Sequence, residues 1–253
     1  MNNHPETLIL LRGLSREQRH WGSFTGLLHK HFTDKQLICF DLPGNGQRNH
    51  LQSPATIAGI VEFIRDELSA VLSQGPVHLV ALSLGGMVAM EWMDKHPQEI
   101  ASAALLSCSF KGVSPFYQRL RPANYLNLLN VIFSSNDYAS EKTILKMTSQ
   151  GHQQNKALLE QWVSYARQNP VSRQNVLRQL LAATRYQLPR VKPDVPVYLL
   201  NGLQDKLVSP QCSVDLAERW HLPLDSCQLC GHDLSLDNEQ WVFKRLCKWF
   251  DGL

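Results

Sequence analysis

Residues 77–92 read Val77-His-Leu-Val-Ala-Leu82, then Ser83-Leu-Gly-Gly86, then Met87-Val-Ala-Met-Glu-Trp92. The first part is a short apolar run, the pattern of a strand buried on both faces. The last part continues at helical spacing from two adjacent glycines. A strand that passes into a helix through so few residues must turn sharply. Small residues are then required two positions either side of the serine, because larger side chains would collide with the adjoining strand or helix; Ala81 and Gly85 meet that need. Such a turn lifts the Ser83 hydroxyl clear of the sheet edge, which makes Ser83 a candidate nucleophile.

The alternation of strand and helix extends outward from this stretch. Upstream, residues 7–11 (TLILL) and 36–40 (QLICF) are apolar runs with a helical pattern over 23–31 between them, followed by the breaker-rich loop Asp41-Leu-Pro-Gly-Asn-Gly46. Ile57, Ile60, Val61, Ile64, Leu68 and Val71 recur at helical spacing, and Ser53-Pro54 predicts an N-cap and first helical residue for that helix, which Gly75-Pro76 ends. Downstream, residues 101–107 form a fourth strand. From 111 to 192 the pattern is almost wholly helical, with segments near 125–133, 139–147, 157–167 and 171–181. Alternation then resumes with strands at 195–200 and 224–229 and helices at 210–220 and 239–250. The expectation is an α/β fold: a mostly parallel sheet flanked by helices, with residues 1–110 and 193–253 as the core and 111–192 as an inserted helical cap.

Composition narrows the function classes. With 43% hydrophobic and 19% charged residues over 253 positions, the chain has the material for a packed core rather than a disordered polymer. Twenty-five Lys+Arg against 22 Asp+Glu leave a formal charge of only +3, without a basic run, so no nucleic-acid footprint is expected. No apolar window is long enough to span a bilayer, and MNNHPE lacks the marks of a secretory signal, so a cytoplasmic location is expected. The six cysteines (Cys39, Cys108, Cys212, Cys227, Cys230, Cys247) are read as buried thiols, Cys227-x-x-Cys230 included, because no second pair follows it. Neither a His-x-x-x-His nor clustered carboxylates offers ligand spacing, so no metal and no cofactor is expected.

A serine hydroxyl needs a base to take its proton and an acid to hold that base in one tautomer. In an open parallel sheet both should follow later strands, at their carboxyl ends. Asp205 lies in Asn201-Gly-Leu-Gln-Asp205 just after the 195–200 strand, and His232 in Cys230-Gly231-His232 after the next one. Asp205 is the candidate acid, with a plain turn residue as the alternative. Among the other histidines, His4, His29, His31 and His152 sit in polar or amphipathic surroundings, His78 lies within a strand and His96 near a helix end. Asp233 is read as a surface residue.

The order Ser83, Asp205, His232, the strand–turn–helix around Ala81-Leu-Ser83-Leu-Gly85 and the helical insert together resemble the α/β-hydrolase fold superfamily, over nearly the whole chain. The resemblance implies that a transition-state oxyanion is bound by the backbone N–H of Leu84 and by a second from the loop Leu11-Arg12-Gly13-Leu14, at Leu14. It departs from the family in having Arg12 where histidine is common and Ala81 where glycine is. Arg12 either braces its loop by hydrogen bonds or places a positive charge beside the acyl site and favours anionic substrates. Trp21 is a candidate pocket wall or a core residue of that loop. In the cap, Phe116, Tyr117, Tyr125, Phe133, Trp162, Tyr165 and Tyr186 are expected mostly to pack the cap onto the sheet.

The resemblance implies a serine hydrolase acting on a carboxylic ester through an acyl-enzyme, with small-molecule carboxylesterases of the acyl-carrier methyl-ester type as the most similar subgroup. The expected partner is a small acyl or ester substrate. The same machinery would serve a thioester, lactone or C–C bond, and a catalytically silent binding protein of the same fold is the remaining alternative.

Overall fold

The computed structural model describes residues 6–253; the first five, His4 among them, lie outside the described residues. Six strands, β1 (Thr7–Leu11), β2 (Gln36–Phe40), β3 (Val77–Leu82), β4 (Ile100–Leu106), β5 (Val197–Gly202) and β6 (Leu224–Cys227), form one sheet in the order β2-β1-β3-β4-β5-β6. Every neighbouring pair is parallel. Helices α1 (Phe24–His31), α2 (Ile57–Glu67), α3 (Ser69–Leu72) and α4 (Leu84–Lys95) occur among the first four strands. Between β4 and β5 run α5 (Phe116–Arg119), α6 (Tyr125–Phe133), α7 (Asp137–Thr148), α8 (Lys156–Gln168) and α9 (Arg173–Arg185). The chain closes with α10 (Gln211–Trp220), α11 (Leu234–Asp237) and α12 (Glu239–Phe250).

Side chains alternate across each strand, so both faces of the sheet are filled. Ile9, Leu11, Leu79, Ala103 and Leu199 pack with α2, α4 and α10, while Leu8, Leu10, Val80, Leu106 and Leu200 pack with α1 and α12. This two-sided burial is why the strands read as unbroken apolar runs. The stripe Ile57, Ile60, Val61 and Ile64 of α2 is buried, at about 1.5–3 kcal/mol for each side chain of this size taken from water.

Three local expectations are corrected. The α2 cap is Thr56, whose side chain accepts from Gly59 N, rather than Ser53. Ser53 is instead held by α9: its N–H donates to Asn175 Oδ1 at 2.9 Å and its carbonyl accepts from Arg178 Nε. The helix expected to reach Val71 is interrupted at Leu68, between α2 and α3. Cys227 and Cys230 are joined by a disulfide rather than being separate thiols, because the chain turns after β6 and brings their Cα atoms 5.5 Å apart. Among the described residues, no helix is long and apolar enough to cross a membrane.

Candidate active site

Ser83 sits between β3 and α4 with φ 57° and ψ −113°, a backbone region that costs a non-glycine residue about 1–3 kcal/mol. The surroundings over-determine it. Ser83 N donates to Leu106 O and Gly86 N to Ser83 O, both at 2.9 Å. A Cβ on Gly85 would lie 2.5 Å from the Leu11 carbonyl oxygen, and one on Gly86 would lie 2.0 Å from Cys108 Sγ. The helix can therefore approach β1 only with glycine at 85, and the end of β4 only with glycine at 86 while Cys108 is in place. The need at Gly85 is readable from the sequence pattern; the need at Gly86 depends on Cys108, which only the fold brings near.

Asp205 and His232 meet at the ends of neighbouring strands. Asp205, in the loop after β5, accepts from Leu207 N at 2.8 Å and Val208 N at 2.9 Å through Oδ1, while Oδ2 pairs with His232 Nδ1 at 2.7 Å. Both residues are 3% exposed, so this contact is shielded from solvent. The bond to Asp205 holds Nδ1 as the protonated nitrogen and leaves Nε2 as the basic one. His232 and Ser83 line one cavity of about 420 Å³. Among the described residues no hydrogen bond joins the Ser83 hydroxyl to the imidazole, a contact that in substrate-free enzymes often tightens only on binding.

Leu14 and Leu84 also line this cavity. Leu84 is the first residue of α4, where N–H groups have no intrahelical acceptor and the helix dipole favours negative charge. Among the described residues neither Leu14 N nor Leu84 N donates to a protein acceptor outside regular elements. Gly13 seats the loop against the serine, since a Cβ there would stand 3.2 Å from Ser83 Cβ.

Arg12 does not present a free charge to the cavity. Its guanidinium engages Asp233 through two bonds, 2.5 Å to Oδ2 and 3.3 Å to Oδ1, with Ser235 Oγ at 3.4 Å. Asp233 was expected at the surface and is buried, because α11 folds it back under the Arg12 loop, where its Oδ1 also accepts from Leu236 N. Burial raises the Asp233 pKa, but the charge and hydrogen bonds of Arg12 outweigh it and hold the carboxyl below its ordinary value. Trp21 is not part of the cavity lining. It is 2% exposed, with the Arg12 guanidinium 4.7 Å above its ring and Phe24 at 5.8 Å, so the residue that looked like a pocket wall is the floor of the Arg12 loop.

The helices after β4 supply most of the apolar cavity wall, through residues such as Leu128, Ile132, Ile144, Met147, Val176 and Leu180. Of the aromatic residues between β4 and β5, Tyr165 and Phe116 line it, Trp162 is buried and Tyr186 packs on Phe110. Phe116, Tyr117 and Phe133 are exposed, against the expectation that most would pack on the sheet, because α5 and α6 turn them outward. Sequence reasoning missed a polar corner of the cavity. Arg16 pairs with Glu141 of α7 at 2.7 and 3.1 Å and stacks on Trp162 at 4.3 Å. Beside it, burial and the charges of Arg16 and Arg12 push the His20 pKa well down, leaving a neutral imidazole. The charge of Glu141 on an otherwise half-apolar helix face was the one available signal, and its partner lies 125 residues away.

Residues 8–245 match the model of the alpha/beta hydrolase family. A curated relative, the monoacylglycerol lipase ABHD6 of Mus musculus, is 28% identical over 123 residues. That match takes in 47% of this chain and 36% of the relative, so the chain aligns with little more than a third of that protein. Among solved structures, the enol-lactonase of Burkholderia xenovorans superposes with a TM-score of 0.79 at 15% identity, covering 97% of this chain and 91% of that one. The esterase RhEst1 of a Rhodococcus species gives 0.78 at 17% identity, covering 100% and 92%. At these identities the two structures speak to the fold.

Proposed function

Because the chain belongs to the alpha/beta hydrolase family, we propose that it is a serine hydrolase cleaving a carboxylic ester with an apolar acyl group through an acyl-enzyme. The observation that carries this reading is the Asp205–His232 bond of 2.7 Å at the rim of the cavity that Ser83 also lines. In this mechanism Ser83 Oγ attacks the ester carbonyl carbon as His232 Nε2 takes the hydroxyl proton. The carbonyl π electrons move onto oxygen, and the N–H groups of Leu14 and Leu84 donate hydrogen bonds to the oxyanion so formed; one such donor is worth about 10²–10³ in rate. Collapse of the intermediate breaks the bond to the alcohol, which takes the proton from His232. Water, deprotonated by His232, then attacks the acyl carbon, the bond to Ser83 Oγ breaks to release the acid, and His232 returns the proton to Oγ, while Asp205 holds the imidazole in place and stabilises its charged form throughout.

The apolar wall supports an acyl chain as the recognised part, since small-molecule sites are mostly apolar with a few placed polar groups. The likeness to a monoacylglycerol lipase supports the same class of bond. The pairing of Arg12 with Asp233 and of Arg16 with Glu141 argues against selection for an anionic acyl group at that corner. The test is the Ser83→Ala variant against a p-nitrophenyl ester and a fluorophosphonate probe. Turnover and labelling should both vanish; labelling that persists would identify a different nucleophile.

A further inference from the structure

The turn that carries the Leu14 N–H is short and unfavourable by itself. Arg16 N donates to Gly13 O at 3.2 Å, closing a four-residue turn, and Ser15 within it has φ 56°. A turn of this kind favours glycine at that position, and a serine there is strained. At one end the turn is seated against Ser83 and Leu82 through Gly13. The other restraints come from residues far along the chain: Ser15 N donates to Gln179 Oε1 at 3.1 Å, and the Arg16 side chain is bound by Glu141. Gln179 is completely buried on α9 and Glu141 is buried on α7, both helices of the segment between β4 and β5. Gln179 Nε2 donates onward to Asn45 Oδ1 at 2.8 Å, and Asn45 Nδ2 donates to Arg16 O at 3.1 Å, which closes a ring of bonds around the turn.

We propose that Gln179, through its bond to Ser15 N, is a positioning residue that aims the Leu14 N–H at the oxyanion, so that the hole is complete only while the cap helix α9 is seated. The inference rests on the serine-hydrolase reading above. Its physical content is that the Gly13–Leu14 and Leu14–Ser15 peptide groups flank Leu14 and are linked through the φ and ψ of that one residue, while the Ser15 N–H belongs to the second of them. An acceptor fixed on the Ser15 N–H therefore limits the swing of the neighbouring Gly13–Leu14 peptide, whose N–H must be preorganised because reorientation during the reaction would raise the barrier. A second group of cap-to-loop bonds serves as an internal control. Arg19 donates to Gln168 Oε1 at 2.6 Å, three residues beyond the turn, and Gln168 does not line the cavity.

The experiment compares Gln179→Met, which keeps the side-chain volume and removes the acceptor, with Gln179→Glu, which restores an acceptor to Ser15 N, and with Gln168→Ala. Each is measured for kcat and KM on a p-nitrophenyl ester, for Ki of a trifluoromethyl ketone whose hemiketal oxygen occupies the oxyanion position, and for Tm. We expect Gln179→Met to lose about 10- to 100-fold in kcat, with Ki rising by a similar factor and KM changing less than about 3-fold. Gln179→Glu should recover part of both losses, and Gln168→Ala should match the parent protein. The proposal is overturned if Gln179→Met keeps kcat and Ki within about 2-fold of the parent, or if Gln168→Ala loses as much, which would indicate general docking of the cap. A parent protein without Ser83-dependent turnover would instead overturn the serine-hydrolase reading, and this inference with it.

Discussion

Replacing Arg12 by methionine should destabilise the protein without altering its preference between neutral and anionic esters. The guanidinium and the Asp233 carboxylate are 3% and 4% exposed in their side chains and face each other through two bonds. Removing one partner of such a pair typically costs about 3–5 kcal/mol, because a charge is left buried and unmatched. The lower end applies here, since Ser235 Oγ and Leu236 N still donate to Asp233 Oδ1 after the change. For a chain of this size about 3 kcal/mol corresponds to a fall of roughly 6–12 °C in Tm. The pH dependence has a definite sign. In the parent the Asp233 pKa is held below its ordinary value of 3.8, so its contribution to stability is present above that pH and is lost as pH falls through the lower, folded-state value. Without Arg12 the effect of burial prevails and raises that pKa, so the native variant takes up a proton first. The gap in Tm between parent and Arg12→Met should consequently narrow as pH falls from 7 towards 4. Thermal melts over that range, with turnover of a neutral ester and a hemiester of a dicarboxylic acid, make the measurement. A Tm loss under about 2 °C at pH 7, or a shift in the ratio of the two turnovers beyond about 3-fold, would refute this account of Arg12.

Two further outcomes are expected. Asp205→Asn should lower kcat by about 10⁴ with little change in KM, since an amide at that position favours the wrong imidazole tautomer; a loss below 10-fold would mean that another group orients His232. Gly86→Ala should cost roughly 1–3 kcal/mol in urea unfolding, because the new Cβ would stand 2.0 Å from Cys108 Sγ. Adding Cys108→Ala should restore most of that loss, as the nearest Cys108 atom left would be a Cβ at 3.3 Å. Failure of the second substitution to compensate would place the strain elsewhere.

The parts of this protein that could be read along the chain are those governed by neighbours in sequence. Alternating apolar runs and helical spacing gave the strands to within about two residues, since a strand buried on both faces has to be apolar throughout. The proposed triad of Ser83, Asp205 and His232 was picked out for a related reason. Each lies directly after a strand, and parallel strands deliver their carboxyl ends to one edge of the sheet. Ser53 shows the limit of that logic. It has the right type and spacing for a helix cap, yet its backbone N–H is bound by Asn175 of α9.

Long-range pairing decided the rest. Asp233 looks like a surface residue beside His232 until Arg12, 221 positions earlier, is placed against it, and that same contact removes the free positive charge Arg12 seemed to offer. Of the two readings of Trp21, pocket wall or core of its loop, the guanidinium over its ring favours the second. Gln179 has no local pattern at all, being a buried amide whose partners lie 134 and 164 residues away. Periodicity therefore determined which residues face the core and which reach the sheet edge, because backbone geometry repeats along the chain. Only the folded chain decided which charges are neutralised and what steadies the Leu14 turn, because hydrogen bonds and ion pairs depend on positions in space that no local repeat encodes.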